Sequence, residues 1–299
     1  MKRARLIYNP TAGREQIRKN LPYILERLEN AGYETSTHAT TGAGCARDAA
    51  RLAGERGFDL VIAAGGDGTL FEVINGLAPL EKRPLLGLIP AGTTNDFARA
   101  LGISKDIEKA CDVLCDDHIE PIDIGQSNDR YFINIAAGGS LTELTYEVPI
   151  KLKTFVGQLA YYIKGLERLP HIAPTNVTIE YDGKLYQGEI MIFLIANSHS
   201  VAGFEKLAPK ASLRDGMFDF LIVEKLSFPE LLHLATLTLR GEHLHHPKVK
   251  YVQANRIKIR ADSPMQLNLD GEYGGELPAE FVNHYHHFYM LTPRTRTVQ

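Results

Sequence analysis

The sequence predicts two domains of different class: an N-terminal three-layer α/β/α domain on a mostly parallel sheet, then a C-terminal, mostly antiparallel β-sandwich. Three observations carry this prediction. The first third alternates short β-rich runs with apolar repeats at helical spacing, the order that makes a parallel sheet covered by helices on both faces. Near Glu120 that order gives way to strand pairs joined by polar turns. The longest such pair, NVTIEYDGKLYQGEIMIFLIANS, is centred on Asp182-Gly183, a dipeptide that accepts the positive φ angles of a two-residue hairpin turn. The domains are placed at residues 1–127 and 128–287.

In chain order, RLIYN at 5–9 reads as a strand and PTAG as a turn. Ile17, Leu21, Ile24, Leu25 and Leu28 then recur at helical spacing until Gly32 stops them. YETSTHAT is a second strand, and Ala46, Ala49, Ala50 and Ala53 mark a second helix. DLVIAA at 59–64 is the kind of run buried on both faces of a parallel sheet. After GGDG, the stripe Leu70, Val73, Ile74 and Leu77 predicts a helix ending before Pro79, and LLGLIPAGTTNDFARALG repeats strand, glycine turn and helix. EPIDIGQSNDRYFINIAAGG reads as two strands joined at Asn128 and Asp129. Leu141 to Leu169 is partly helical and broken by Pro149. MFDFLIVEK, NRIKIRA and MQLNLDGE are strands, with one helix between Phe228 and Arg240.

Composition narrows the function classes. The chain has 299 residues with 44% apolar content, enough for a core in each domain. A net charge of −3 gives no general attraction to nucleic acid. The longest purely apolar run, Ile190 to Ala196, is far short of the roughly 20 residues of a membrane span. The basic start runs straight into a strand and a polar turn, unlike a signal peptide, so a cytoplasmic location is expected. Cys45, Cys111 and Cys115 cannot all pair and read as small core residues. The histidines His243, His245, His246, His284, His286 and His287 lack the spacing of a closed zinc site and read as polar surface. Lys2, Arg3, Arg5, Arg14, Arg18 and Lys19 crowd the first twenty residues, either as a solvated face or as a phosphate or headgroup patch.

AAGGDGTLFEVINGL, from residue 63, carries the chemistry. Glycines at a strand-to-helix junction let backbone amides approach a ligand, and a helix N-terminus favours anions. Gly65, Gly66 and Gly68 therefore suit a phosphate, although a simple tight turn uses the same residues. Asp67 inside an anion site makes sense if it holds Mg²⁺, directly or through water, so that the ion offsets carboxylate–phosphate repulsion. Neither GxxxxGK[ST] nor a GxGxxG after a strand is present, which excludes a Walker loop and disfavours a dinucleotide site.

GGDGTLFEVINGL, with YNPTAG upstream and PAGTTNDFARALG downstream, resembles the catalytic domain of diacylglycerol kinases and their sphingosine-kinase and ceramide-kinase relatives. The resemblance continues through DIG, YFINIAAGG, AYYIKG, AGFEKLAP, DGMFD and LDGEYGG, is similar to the bacterial soluble members, and spans nearly the whole chain. It implies an architecture shared with NAD kinases and 6-phosphofructokinases, with 288–299 returning to the first domain. It also implies ATP as co-substrate, Mg²⁺, diacylglycerol as acceptor, phosphatidic acid as product, reversible contact with an anionic membrane surface, and a homodimer.

Residue by residue, the resemblance implies a nucleotide loop of Asn9, Pro10, Thr11, Ala12 and Gly13, with a further contact at Thr40. It implies a phosphate wrap from Gly66 through Asp67, Gly68, Thr69, Leu70, Phe71 and Glu72, a hydroxyl at Thr93, and Asn95 and Asp96 opening the next helix. Asp96 also suits an N-terminal cap, and Arg99 suits an ion pair with Asp96 or Asp67. Asp123 resembles the second acidic member of an aspartate, water and magnesium network. Asp215 matches a structural magnesium site completed by the carbonyls of Ser212 and Met217. Lys164 matches a basic residue near the site entrance, and Arg14 and Lys19 fall where the family carries positive charge.

Phosphoryl transfer to an alcohol needs alignment with the γ-phosphate, charge neutralisation and a proton acceptor. In LDGE, Asp270 and Glu272 read as strand residues sharing one face, because the strand period is two. Either serves as base while the other binds metal or orients it, with Asp67 opposite. The competing reading of LDGE is an Asp-Gly hairpin turn with an exposed Glu. KLKTFVGQLAYYIKGLERL, from Lys151, reads as a basic amphipathic segment that either packs on its own domain or meets a membrane. Two further functions fit the same residues: a same-fold kinase for another lipid alcohol or NAD, and a nucleotide-binding sensor without turnover.

Overall fold

The computed structural model describes residues 1–139, 174–199 and 207–294. The segment at 141–169, including the basic amphipathic stretch and Lys164, lies outside the described residues. In the first domain β1 (Lys2–Tyr8), β2 (Tyr33–Ala39), β3 (Leu60–Gly65) and β4 (Leu85–Pro90) pair in parallel in the order β2-β1-β3-β4. All of β3 is buried, as a run of Val, Ile and Ala between two helix layers requires. The helices are α1 (Leu21–Asn30), α2 (Cys45–Glu55), α3 (Asp67–Leu77), α4 (Asp96–Leu101) and α5 (Ile107–Cys115). The alanine face of α2, at Ala46, Ala49, Ala50 and Ala53, is buried, and its small side chains let α3 lie close. Asp106 caps α5, accepting the Lys109 amide at 3.1 Å.

The second, antiparallel region starts at Ile119, within the 1–127 expected for the first domain. Its strands are β5 (Ile119–Ser127), β6 (Arg130–Phe132), β7 (Ile135–Gly139), β8 (Thr175–Tyr181), β9 (Lys184–Ala196), β10 (Phe218–Glu224), β11 (Val249–Ala254), β12 (Arg256–Ala261), β13 (Gln266–Leu269), β14 (Glu272–Glu276) and β15 (Ala279–Leu291). Their mutual pairings are antiparallel. Asp182 (φ 43°) and Gly183 (φ 80°) form the expected two-residue turn between β8 and β9. The core is aromatic: Phe193 meets Phe220 and Phe281 edge to face, and Phe132 stacks on Phe218. Among the described residues the second domain carries the helix α6 (Phe228–Arg240), which opens with a capping box between Ser227 and Glu230.

The two sheets are continuous. β15 pairs with β12 and β5 in the second domain, and at Met290 it pairs in parallel with Leu86 of β4. Phe288, Met290 and Leu291 pack into the first core. Two sequence readings need correction. His243 and His246 are buried rather than surface groups, and His243 Nε2 lies 2.9 Å from the Leu207 carbonyl. Cys111 is buried, whereas Cys45 and Cys115 are only half-buried. Among the described residues, no helix is long and apolar enough to cross a membrane.

Candidate active site

The strand order reverses at β1: one connection leads outward to β2, and the chain then crosses back to β3. In parallel sheets the crevice at such a point, above the carboxyl ends of the strands, is where ligands bind. Here the loops after β1, β3 and β4 meet. Asn9 Oδ1 accepts both the Thr11 amide (3.0 Å) and the Thr11 hydroxyl (2.9 Å), which tightens the turn through Pro10. Gly13 has φ +56°, and a Cβ there would stand 2.8 Å from the Ala91 carbonyl oxygen, so this loop is pressed against the loop after β4. The left-handed backbone continues through Arg14 and Glu15. Arg14 and Lys19 are exposed on this rim, tied by Lys19 Nζ to the Arg14 carbonyl at 3.3 Å. Thr40, just beyond β2, donates its amide to the Tyr8 carbonyl.

The loops after β3 and β4 touch backbone to backbone, since a Cβ on Gly92 would lie 2.6 Å from Gly66 Cα. Asn95 locks this contact. Its Oδ1 accepts the Gly92 amide at 3.0 Å, its Nδ2 donates to the Gly92 carbonyl at 2.7 Å, and its own amide donates to Asp67 Oδ2 at 2.8 Å. Asp67 is the first residue of α3, where the amides of Asp67 and Gly68 have no intrahelical acceptor. Burial holds its carboxyl above the usual carboxylate range, and the charge of Asp96 pushes the same way. Asp96 is the first residue of α4, with Asn95 in the cap position, and Arg99 Nη1 lies 3.5 Å from it. Thr93 is exposed, its carbonyl accepting from Lys105 Nζ at 2.6 Å.

The remaining wrap residues divide. Thr69 Oγ1 and the Gly65 backbone are packed together at the start of α3. Leu70 is buried in the first core, and Phe71 packs on the second, so each has only its backbone to offer a ligand. The Glu72 carboxylate is turned away from the loops. Its oxygens accept the amides of Gly44 (2.8 Å) and Ala46 (2.9 Å) and so cap α2, a side-chain role the sequence reading did not foresee.

The second acidic motif arrives on a hairpin. β13 and β14 pair at Leu269 and Glu272, with Asp270 (φ 52°) and Gly271 (φ 94°) as the turn. Asp270 and Glu272 therefore do not share a strand face, because a two-residue turn interrupts the alternation. The half-buried Asp270 turns inward. Its Oδ2 accepts the Ile133 amide (2.7 Å) and its Oδ1 the amides of Asn134 (2.8 Å) and Ile135 (2.9 Å). Burial pushes its carboxyl up to about 7 against those amides, with a further contribution from Asp67 across the domain boundary. Exposed Glu272 approaches the start of α3, its Oε1 lying 3.7 Å from where a Cβ on Gly68 would stand. The hairpin carrying Asp270 and Glu272 thus lies against the start of α3, close enough for the charge of Asp67 to act on Asp270.

The remaining sequence candidates make the following contacts. Asp123 is fully buried and accepts the amides of Gly216 (2.7 Å) and His286 (2.6 Å), so its carboxylate braces the Asp215 turn and β15. Its carbonyl accepts Asn197 Nδ2 at 3.0 Å, the same amide that holds the Ile133 carbonyl. Asp215 is exposed, with Oδ1 accepting the Met217 amide at 3.1 Å. Ser212 Oγ accepts the Arg214 amide, and the Met217 carbonyl accepts Asn283 Nδ2 at 3.3 Å. The backbone arch at 133–135 has no side-chain signature and was not legible in the sequence.

Known proteins resemble the chain over its whole length. A family model described as diacylglycerol kinase catalytic domain matches residues 3–127, and one described as YegS C-terminal NAD kinase beta sandwich-like domain matches residues 145–294. The chain is 61% identical over 300 residues to the diacylglycerol kinase of Bacillus subtilis strain 168, covering 100% of this chain and 99% of that one. It is 54% identical to the diacylglycerol kinase of Staphylococcus haemolyticus, covering 97% and 88% of the two chains. A diacylglycerol kinase crystal structure from Bacillus anthracis superposes with a TM-score of 0.82 at 28% identity, over 98% of each chain. With two family models on its two halves and a 61% identical relative over its whole length, this chain belongs to the diacylglycerol kinase family.

Proposed function

We propose that the chain is an ATP-dependent kinase that phosphorylates the free hydroxyl of diacylglycerol to give phosphatidic acid. The observation that carries this reading is the approach of Glu272 to Gly68, which sets a proton-accepting motif over a phosphate loop. The N-terminal amides of α3 receive the phosphates, and the loops at 9–13 and 93–96 close around them. Asp67, with Asp96 behind it, is a hard oxygen donor of the kind Mg²⁺ takes. Among the described residues no three ligating side chains converge to cage an ion. That fits a cation held by one or two carboxylates and completed by phosphate oxygens. When bound, Mg²⁺ supplies charge neutralisation at the transferring group. Asp270 takes the hydroxyl proton, since a carboxyl near 7 is matched to neutral pH, and Glu272 orients the acceptor. Asp215, with the carbonyls of Ser212 and Met217, is assigned to a structural cation.

The acceptor resides in a bilayer, so the enzyme meets it at the surface, with Arg14 and Lys19 on the exposed rim as the basic contact. A homodimer is part of the same reading and is measured by sedimentation. The reaction is tested with radiolabelled ATP and diacylglycerol, sphingosine, ceramide or NAD in mixed micelles. Label in diacylglycerol is expected. Label in another alcohol reassigns the acceptor, and ATP binding without transfer to any of them rejects the kinase reading.

A further inference from the structure

We propose that Asn197, with Ser198 beside it, is a positioning residue for Asp270, acting through the backbone arch at 133–135. The proposal rests on the kinase reading, in which Asp270 is the base. Asn197 follows the last residue of β9 and is 0% exposed. Its amide donates to the Asn134 carbonyl at 2.8 Å, and its Nδ2 donates to the carbonyls of Ile133 and Asp123, each at 3.0 Å. Its Oδ1 accepts Asn283 Nδ2, also at 3.0 Å. Asn197 thereby has a partner for each of these polar groups, as a buried amide requires.

Which carbonyls it holds is the point. The Ile133 carbonyl belongs to the same peptide group as the Asn134 amide, and the Asn134 carbonyl to the same group as the Ile135 amide. Those two amides are the ones bonded to Asp270 Oδ1. A peptide group is planar and rigid, so fixing its oxygen fixes the direction of its N–H. A hydrogen bond at the oxygen also polarises the N–H at the other end. Ser198 adds to the grip, its amide reaching the Asn134 carbonyl at 3.3 Å and its hydroxyl the Asn134 Oδ1 at 2.9 Å. Asn197 and Ser198 thus lie behind the arch and aim it, while Asp270 lies in front. With Oδ1 held by two amides and Oδ2 by one, a lone pair of Oδ2 remains for the acceptor hydroxyl.

The test is Asn197→Ser, assayed with labelled ATP and diacylglycerol and compared by hydrogen–deuterium exchange. We expect kcat per folded molecule to fall by about 10- to 100-fold, the range that misplacement of a reacting group produces. KM for ATP stays within about twofold, and exchange rises in the peptide covering 133–135. A merely structural residue lowers the melting temperature and leaves kcat per folded molecule intact. Ser198→Ala should give the same pattern at about threefold, and it decides the matter if Asn197→Ser does not accumulate as folded protein. Wild-type kcat with unchanged exchange at 133–135 in a folded variant overturns the positioning role alone. Absence of transfer by the unaltered enzyme overturns the kinase reading, and with it any base to position.

Discussion

At the scale of single residues, the site turns on two carboxylates whose surroundings differ. Asp270 is half-buried, receives three backbone amides and has its carboxyl pushed up to about 7, chiefly by burial. Glu272 is exposed beside Gly68. If Asp270 is the base, it works only when deprotonated, so kcat should climb as pH rises through about 7. Asp270→Asn should lower kcat by about 10²- to 10⁴-fold, the usual contribution of general-base catalysis. Glu272→Gln should weaken turnover but keep the rise near 7. Initial rates from pH 5.5 to 9 with saturating ATP measure both, and loss of the acid limb in Glu272→Gln instead would exchange the two roles. Sequence reasoning found both residues through LDGE. It misjudged their geometry because alternation describes a strand, whereas Asp-Gly is the dipeptide that most readily leaves one. The amides of Ile133, Asn134 and Ile135 escaped it, since a backbone donor is independent of the side chain that carries it.

At the scale of elements, Glu72 shows how a residue of the GGDGTLFE motif can serve packing, while the proposed chemistry falls to its neighbours. It sits five residues into α3, yet it receives two amides at the start of α2. This joins the middle of α3 to the N-terminus of α2, where the first amides need partners. Glu72→Ala leaves both amides without that carboxylate and should cost about 2–4 kcal/mol. The melting temperature should drop by several degrees, while KM for ATP in the folded variant stays unchanged. A large rise in KM with an unaltered melting temperature would return Glu72 to the phosphate wrap. Most elements were legible beforehand: the alanine stripe gave α2, the apolar run gave β3, and Asp182-Gly183 gave the β8–β9 turn. The parallel contact of Met290 with Leu86 has no local signal, because a pairing across some two hundred residues leaves no local pattern, and only the family resemblance directs 288–299 to the first domain.

At the scale of the whole molecule, β15 determines how the domains face each other, and the seam beside it is built from neutral imidazoles. His287 Nε2 lies 3.0 Å from the Ala78 carbonyl, so this nitrogen carries the proton and donates. The ring stacks on Tyr131 at 5.9 Å and lies 5.0 Å from His284, while Arg83 Nε donates to the His287 carbonyl at 2.8 Å. Burial, opposed by the bond to Ala78 but aided by Arg83 and His284, pulls His287 down to about 4, and burial lowers His284 as well. In the unfolded chain His287 titrates near its ordinary value of about 6.5. The folded state therefore favours the neutral ring. Its contribution is fully present above pH 6.5 and disappears as pH falls from there toward 4, because the unfolded chain binds the proton first. The loss is at most about 3 kcal/mol across that window, less where solvent reaches the half-buried ring. Between pH 8 and 5 the raised carboxyl of Asp270 strengthens folding on acidification in both proteins, so the test by melting curves is the difference: below about pH 6.5 the wild type should lose stability relative to His287→Gln, which cannot be charged. An equal slope in that variant would place the acid sensitivity elsewhere. Because β15 joins both sheets through this seam, the same acidification should weaken the facing of Glu272 on Gly68, so activity should fall with the melting temperature in the wild-type protein more steeply than in His287→Gln.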